Sequence, residues 1–267
     1  MPSRLLRAVA LALAAGAGLS CGGNPFDQPP AAALYGRAVR RLVVEVAWAP
    51  GATPSTGAAP PLADVWDLLA QNLAVLFAAD GKQIEVPRST DAMALLAGVT
   101  ATSFSNDDIL ALAQANRHEL STASTATFYV LYLPGAYRDS SGERPEVLGV
   151  SLDSEGVVAL FARAIDTAAL AQPELAPFIE QSTLVHELGH AVGLVNNGIP
   201  MVTPHEDPAG RHCTNPACVM YFANEGAAAV QDLVDRYLTD GSEVLFGQEC
   251  LDDAAAASRA GGSLPGR

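Results

Sequence analysis

Two histidines and a glutamate set the chemistry open to this chain. The string His186-Glu187-Leu188-Gly189-His190 reads H-E-x-x-H. On a helix, residues four apart share a face, so the two imidazoles can grip one metal ion. The glutamate beside the first can then reach a water on that metal. A catalytic zinc site needs three protein ligands and one open position, so a third ligand must come from elsewhere. The chain has five histidines, His118, His186, His190, His205 and His212, and four of them fall between residues 186 and 212. A bare H-E-x-x-H also arises by coincidence on a helix. The crowding of histidines and the presence of Gly193 argue for metal binding here. In the longer pattern H-E-x-x-H-x-x-G-x-x-H the glycine lets the chain leave the helix sharply and a third histidine follows. Here that last position is Asn196.

The stretch His212-Cys213-Thr214-Asn215-Pro216-Ala217-Cys218-Val219-Met220-Tyr221 follows downstream. It resembles the metzincin metalloproteases, in particular their matrixin-like and archaemetzincin-like members. Matrixins place the Met-turn methionine eight positions after the third histidine, and His212 stands eight positions before Met220. Archaemetzincins carry H-C-x4-C-x-M, which His212, Cys213, Cys218 and Met220 match. Removing Asn196 to Arg211 restores His190-x-x-Gly193-x-x-His212. The resemblance therefore implies a 16-residue insertion before the third zinc ligand, His212. His205, inside that segment, is the alternative third ligand. It also has other readings: lining the cleft with Glu206 and Asp207, binding a second cation, or lying solvated in a loop. The resemblance further implies Zn2+ as the cofactor, Glu187 as the general base, and Met220 packed beneath the metal. Tyr221 and Tyr237 are candidates to stabilise an oxyanion. In this family the substrate lies antiparallel along an edge strand, here 147–152 or 156–161. The only cysteine before His186 is Cys21, so no cysteine switch is expected.

The elements that must position these residues follow from periodicity and punctuation. Arg41 to Ala49, Lys82 to Pro87, Thr127 to Leu133, Val147 to Leu152 and Gly156 to Phe161 read as strands, the last two joined at Asp153-Ser154. Leu62 to Ala79 reads as an amphipathic helix with a stripe of Val65, Trp66, Leu69, Leu73, Leu76 and Phe77. Ser105-Asn106-Asp107-Asp108 caps a helix reaching about Glu119, and His118 at its end reads as a surface residue. The site helix spans about Leu175 to Leu194, entered near Pro177. Residues 134–145 and 195–224 read as irregular, and Glu225 to Leu238 as a last amphipathic helix. The order predicts an α+β (mixed α/β) fold. We expect a single metzincin-like domain, a twisted mixed sheet of about five strands backed by helices, with an active-site helix and a C-terminal helix. Residues 88–104 and 239–267 carry no functional signal.

The chain has 267 residues, enough for one large domain or two small ones, and no internal repeat or dividing linker separates residues 37–250. Residues 1–20 read as a signal peptide, with Arg4 and Arg7 before an apolar stretch. Gly18-Leu19-Ser20-Cys21-Gly22-Gly23 resembles a bacterial lipoprotein box; an ordinary secretory leader is the alternative. Residues 21–36 then form a lipid-anchored or flexible tether, 37–250 the catalytic domain and 251–267 a disordered tail. Export permits disulfides. Cys213 with Cys218 would close a short loop, a second metal site is the less favoured reading, and Cys250 has no assigned partner. The formal charge is −14, with a single lysine, Lys82, among fifteen basic residues. This excludes nucleic acid as a partner and leaves the membrane only through a lipid on Cys21. The leading expectation is a secreted or lipid-anchored zinc endopeptidase acting on peptides or proteins. A non-catalytic zinc-binding surface lipoprotein module is the alternative, and a scaffold lipoprotein with an accidental motif the third. Export, either secreted or anchored in the cell envelope, is the expected localisation.

Overall fold

The computed structural model describes residues 26–60, 62–221, 239, 241 and 243–261. The leader, Cys21 and the expected helix over 225–238 lie outside the described residues. The framework is a six-stranded mixed sheet. Strand β1 (Arg41–Trp48) pairs in parallel with β2 (Gln83–Glu85) and β3 (Ala94–Leu95) on one side, and with β5 (Thr125–Leu133) on the other. Strand β9 (Val157–Phe161) runs parallel to β5, and β8 (Gly149–Leu152) closes the edge antiparallel to β9. Composition explains the order. Every residue of β9 is buried and β5 is buried from Ala126 onward, the signature of central strands covered on both faces. The expected strand over 156–161 is therefore interior, and the expected strand over 147–152 is the edge.

Helix α2 (Trp66–Leu76) buries Trp66, Leu69, Leu73 and Leu76 as its stripe predicts. Helix α3 (Asn106–Asn116) opens with a complete capping box between Ser105 and Asp108. The site helix is α5 (Ala176–Ala191). It packs against α2, β8, β9 and a short helix α4 (Ala162–Ala168) that periodicity does not disclose.

Three expectations are corrected. The loop over 134–145 holds a hairpin, β6 (Ala136–Asp139) with β7 (Gly142–Arg144), which joins β4 (Ser103–Phe104) in a separate small sheet. The tether over 21–36 is anchored from Phe26 onward: α1 (Ala31–Leu34) forms, and Phe26, Leu34 and Tyr35 are buried. The tail over 251–267 is helix α6 (Gln248–Arg259) in its described part, burying Cys250, Asp253, Ala254 and Ala257. Those four positions share one helical face, and alanine is the best helix former, so small side chains suffice for close packing.

Candidate metal centre

Helix α5 is buried almost all round, including Glu180, Gln181, Ser182 and Thr183. Such a helix needs its polar groups satisfied internally. Thr183 Oγ1 donates back to the Ile179 carbonyl, and Glu180 accepts from the Ser55 backbone N–H and hydroxyl. Burial raises the Glu180 carboxyl to about 7, against the pull of those Ser55 bonds. The helix stops at Gly193, whose φ of 88° is open to glycine and strained for other residues. A side chain there would also strike Ala31 of α1. Asn196, where the contiguous motif wants histidine, is turned away: its Nδ2 donates to Glu206.

His186, His190 and His212 converge, with one ring nitrogen of each within 4.8 Å of the other two. His186 Nδ1–H donates to the Val219 carbonyl at 2.7 Å, and His212 Nδ1–H to the Gly210 carbonyl at 3.1 Å. A carbonyl only accepts, so both rings carry their proton on Nδ1 and present Nε2 as a lone pair. The Nε2 atoms of His186 and His190 stand 3.1 Å apart. Zinc bonds of about 2.0–2.1 Å put tetrahedral nitrogens roughly 3.4 Å apart, so the spacing fits a shared ion. Burial, then the charges of His186, His212 and Arg211, hold His190 well below its ordinary pKa and keep it in the neutral, ligating form.

Glu187 is buried on the same helix. It abuts the edge strand: a Cβ added to Gly149 would lie 2.8 Å from Glu187 Cγ and 3.0 Å from Oε1. Met220 lies directly against the helix between the two histidines, where a Cβ on Gly189 would meet its sulfur at 2.3 Å. A cleft of ≈ 1360 Å³ opens past the end of α5, lined among others by Ala31, Asp153, Ala191, Asn197, Ile199 and Arg211, and none of His186, Glu187, His190 and His212 lines it. His118 is at the surface, its side chain 76% exposed.

His205 goes elsewhere. It is buried, correcting the solvated reading, and it joins Cys213 and Cys250 in a second group whose ligand atoms lie within 4.8 Å of one another. Cys250 Sγ is 3.7 Å from His205 Nε2 and 3.6 Å from Cys218 Sγ. Cys218 and Cys250 both hydrogen-bond Cys213, holding its thiol far below the ordinary range and raising their own. None of these three cysteines is in a disulfide, so Cys213 and Cys218 do not close their short loop by a bridge. His205 Nδ1–H donates to the Thr203 carbonyl, which turns Nε2 toward the sulfurs. Asp253 Oδ2 is buried beside them, 3.5 Å from His205 Nε2 and without a hydrogen-bond partner. Zinc–sulfur bonds of about 2.3 Å place tetrahedral sulfurs roughly 3.8 Å apart, close to the spacing here. This donor set can hold a metal of its own. Sequence reading missed Gly149, Cys250 and Asp253 as contributors. For Cys250 the available signal was its place on the buried face of a helix, with Ala254 and Ala257.

No protein-family model matches the chain, and no curated protein does. Three solved structures are similar in shape. A zinc-dependent peptidase from Methanocorpusculum labreanum is 14% identical over 79% of this chain and 99% of that chain, with TM-score 0.43. An archaemetzincin from Methanopyrus kandleri is 14% identical over 83% of this chain and 97% of that one, with TM-score 0.44. An archaemetzincin from Archaeoglobus fulgidus, complexed with malonate, is 19% identical over 80% and 99%, with TM-score 0.40. At this level of likeness the geometry of the site carries the functional argument by itself.

Proposed function

We propose that the chain is a zinc-dependent endopeptidase, with His186, His190 and His212 as the zinc ligands and Glu187 as the general base. One observation carries the reading: two buried imidazoles and the half-buried His212 converge at ligand spacing on the helix that carries a buried glutamate against the sheet edge. Three nitrogen donors leave a tetrahedral ion one open position, the arrangement of a catalytic rather than a structural zinc. Bound zinc would supply Lewis-acid chemistry, acidifying water and polarising a carbonyl.

The protein's own groups do the rest. The Val219 and Gly210 carbonyls fix two ligand tautomers. Glu187 receives a proton from water at its carboxylate and returns it to the leaving amine. Strand β8 is the sheet edge beside Glu187, so an extended peptide can add to it antiparallel and cross the centre. The buried Glu187 disfavours the alternative of a non-catalytic zinc module, because a structural site needs no base. The N-terminal segment supports export, secreted or lipid-anchored, as the place of action.

The test uses purified mature protein. It should retain zinc and cleave an unstructured protein such as casein. Glu187→Gln should keep the zinc and lose cleavage; full activity in that variant would sink the mechanism.

A further inference from the structure

Residues 196–211 separate the glycine turn from His212, and one carboxylate joins the two ends of that segment. Glu206 Oε2 accepts from Asn196 Nδ2 at 2.9 Å, and Glu206 Oε1 accepts from the Arg211 backbone N–H at 2.9 Å. Asn196 follows the exit from α5, and Arg211 immediately precedes His212. The carboxylate therefore ties the helix that carries His186 and His190 to the peptide that carries His212. A second tie lies alongside. Asn197 Nδ2 donates to the His190 carbonyl at 2.9 Å and to Asp153 Oδ2 at 2.6 Å, and Arg211 Nη1 stands 3.5 Å from the same Asp153 oxygen.

The backbone at both ends is bent in a way that most of these residues do not choose for themselves. φ is 51° at Val195, 61° at Asn196 and 61° at Arg211. Asparagine tolerates the left-handed region, but valine and arginine meet steric resistance there. Such a conformation persists only where neighbouring contacts over-determine it. At Arg211 the Glu206 bond to its own N–H is such a contact. Without it, φ at residue 211 can return to negative values, and that rotation swings the chain that follows, His212 first. The resulting shift far exceeds the roughly 0.2 Å within which a metal–ligand distance must fall.

We propose that Glu206 is a positioning residue for the zinc centre: by bridging Asn196 and the Arg211 N–H, it holds Arg211 in the left-handed conformation that delivers His212 to His186 and His190. The inference rests on the reading of those three histidines as the zinc ligands. His212 is the ligand that needs this help. One helix fixes His186 and His190, whereas His212 arrives on a loop. The bond from His212 Nδ1–H to the Gly210 carbonyl and that from the Asp207 N–H to the His212 carbonyl shape this loop from within. The Glu206 bridge relates it to the helix exit. Supporting groups around a metal site are worth about 10–100-fold in its affinity.

The experiment measures zinc affinity of the demetallated full-length mature chain by competition with a chromophoric chelator, counting the zinc that His186→Ala fails to bind. Cobalt in place of zinc adds visible bands whose intensity reports coordination at the same histidines. Glu206→Ala should weaken that zinc about 10-fold or more and dim the cobalt bands, while the metal-free chain still melts cooperatively. Asn196→Ala removes one arm of the bridge and should give a smaller loss in the same direction; it takes the place of Glu206→Ala if that variant does not fold. The decisive variant adds Arg211→Gly to Glu206→Ala. Glycine holds positive φ without a partner, so the pair should recover most of the lost affinity and band intensity, which a general loosening of the loop would not. Undiminished zinc affinity with unchanged bands in Glu206→Ala overturns the inference, and so does a pair that recovers nothing. A wild-type chain that holds no more zinc than His186→Ala would instead sink the zinc reading itself, and this inference with it.

Discussion

The two clusters stand side by side and are built on opposite rules. The first draws three nitrogens, two of them from one helix, and its helix meets the sheet edge at Gly149. The second draws the nitrogen of His205 and the sulfurs of Cys213 and Cys250, with Cys218 against Cys250, and is sealed: Cys213, Cys218 and Cys250 have no exposed surface. Three neutral nitrogens leave an ion one open position, whereas a sealed knot of thiols leaves no room for a substrate. One dipeptide, His212-Cys213, feeds both. A short stretch of backbone can serve two sites because successive side chains of an extended segment point to opposite sides.

The sharpest way to break this contrast is His212→Ala. It should empty the first site and abolish peptide cleavage while the fold persists, read by metal content, activity and a thermal melt. Retained zinc and cleavage would mean that His212 is not a ligand. Next in size is Glu187→Gln, which should lower kcat about 10²–10⁴-fold with metal content unchanged. Gly149→Ala probes the wall of the open site. Its added methyl crowds Glu187 Cγ, and displacing the base should cost up to about 10²-fold in kcat with little change in zinc content.

Two smaller effects test the shared helix. Glu180 has its carboxyl raised to about 7 by burial, so the folded chain holds a proton that the unfolded chain has released. Its stabilising effect is complete below about pH 4.5 and is lost as pH rises through about 7. The Glu180-dependent loss is on the order of 3 kcal/mol, and thermal melts of wild type against Glu180→Gln should show the slope only in the former. Gly189→Ala forces a methyl onto the Met220 sulfur and should cost about 1–3 kcal/mol of stability. An unchanged melting temperature there would show that Met220 does not bear on the helix.

Much of the site was legible because its logic is local. Spacing within one helix places His186, Glu187 and His190 together whatever the fold. The interval from His212 to Met220 marks a turn that returns beneath them. The sheet core was legible from the apolar runs in β5 and β9. The hairpin over 136–144 was hidden because polar, charged residues such as Arg138, Asp139 and Arg144 form it, held by cross-strand pairing rather than by burial. Helix α6 was hidden because its buried face is alanine and cysteine, which read as low complexity until a partner surface is known.

The sequence alone determined that His186, Glu187 and His190 share one helix and that His205 and His212 follow close behind, since helical periodicity and a short turn need no distant partner. Only the tertiary structure brought His212, and not His205, to His186 and His190. That choice depends on where α6 lands, 45 residues from His205 at Cys250. Two histidines with the same chemistry and neighbouring positions are separated by packing: one ring is enclosed with sulfur, the other meets the rings of His186 and His190.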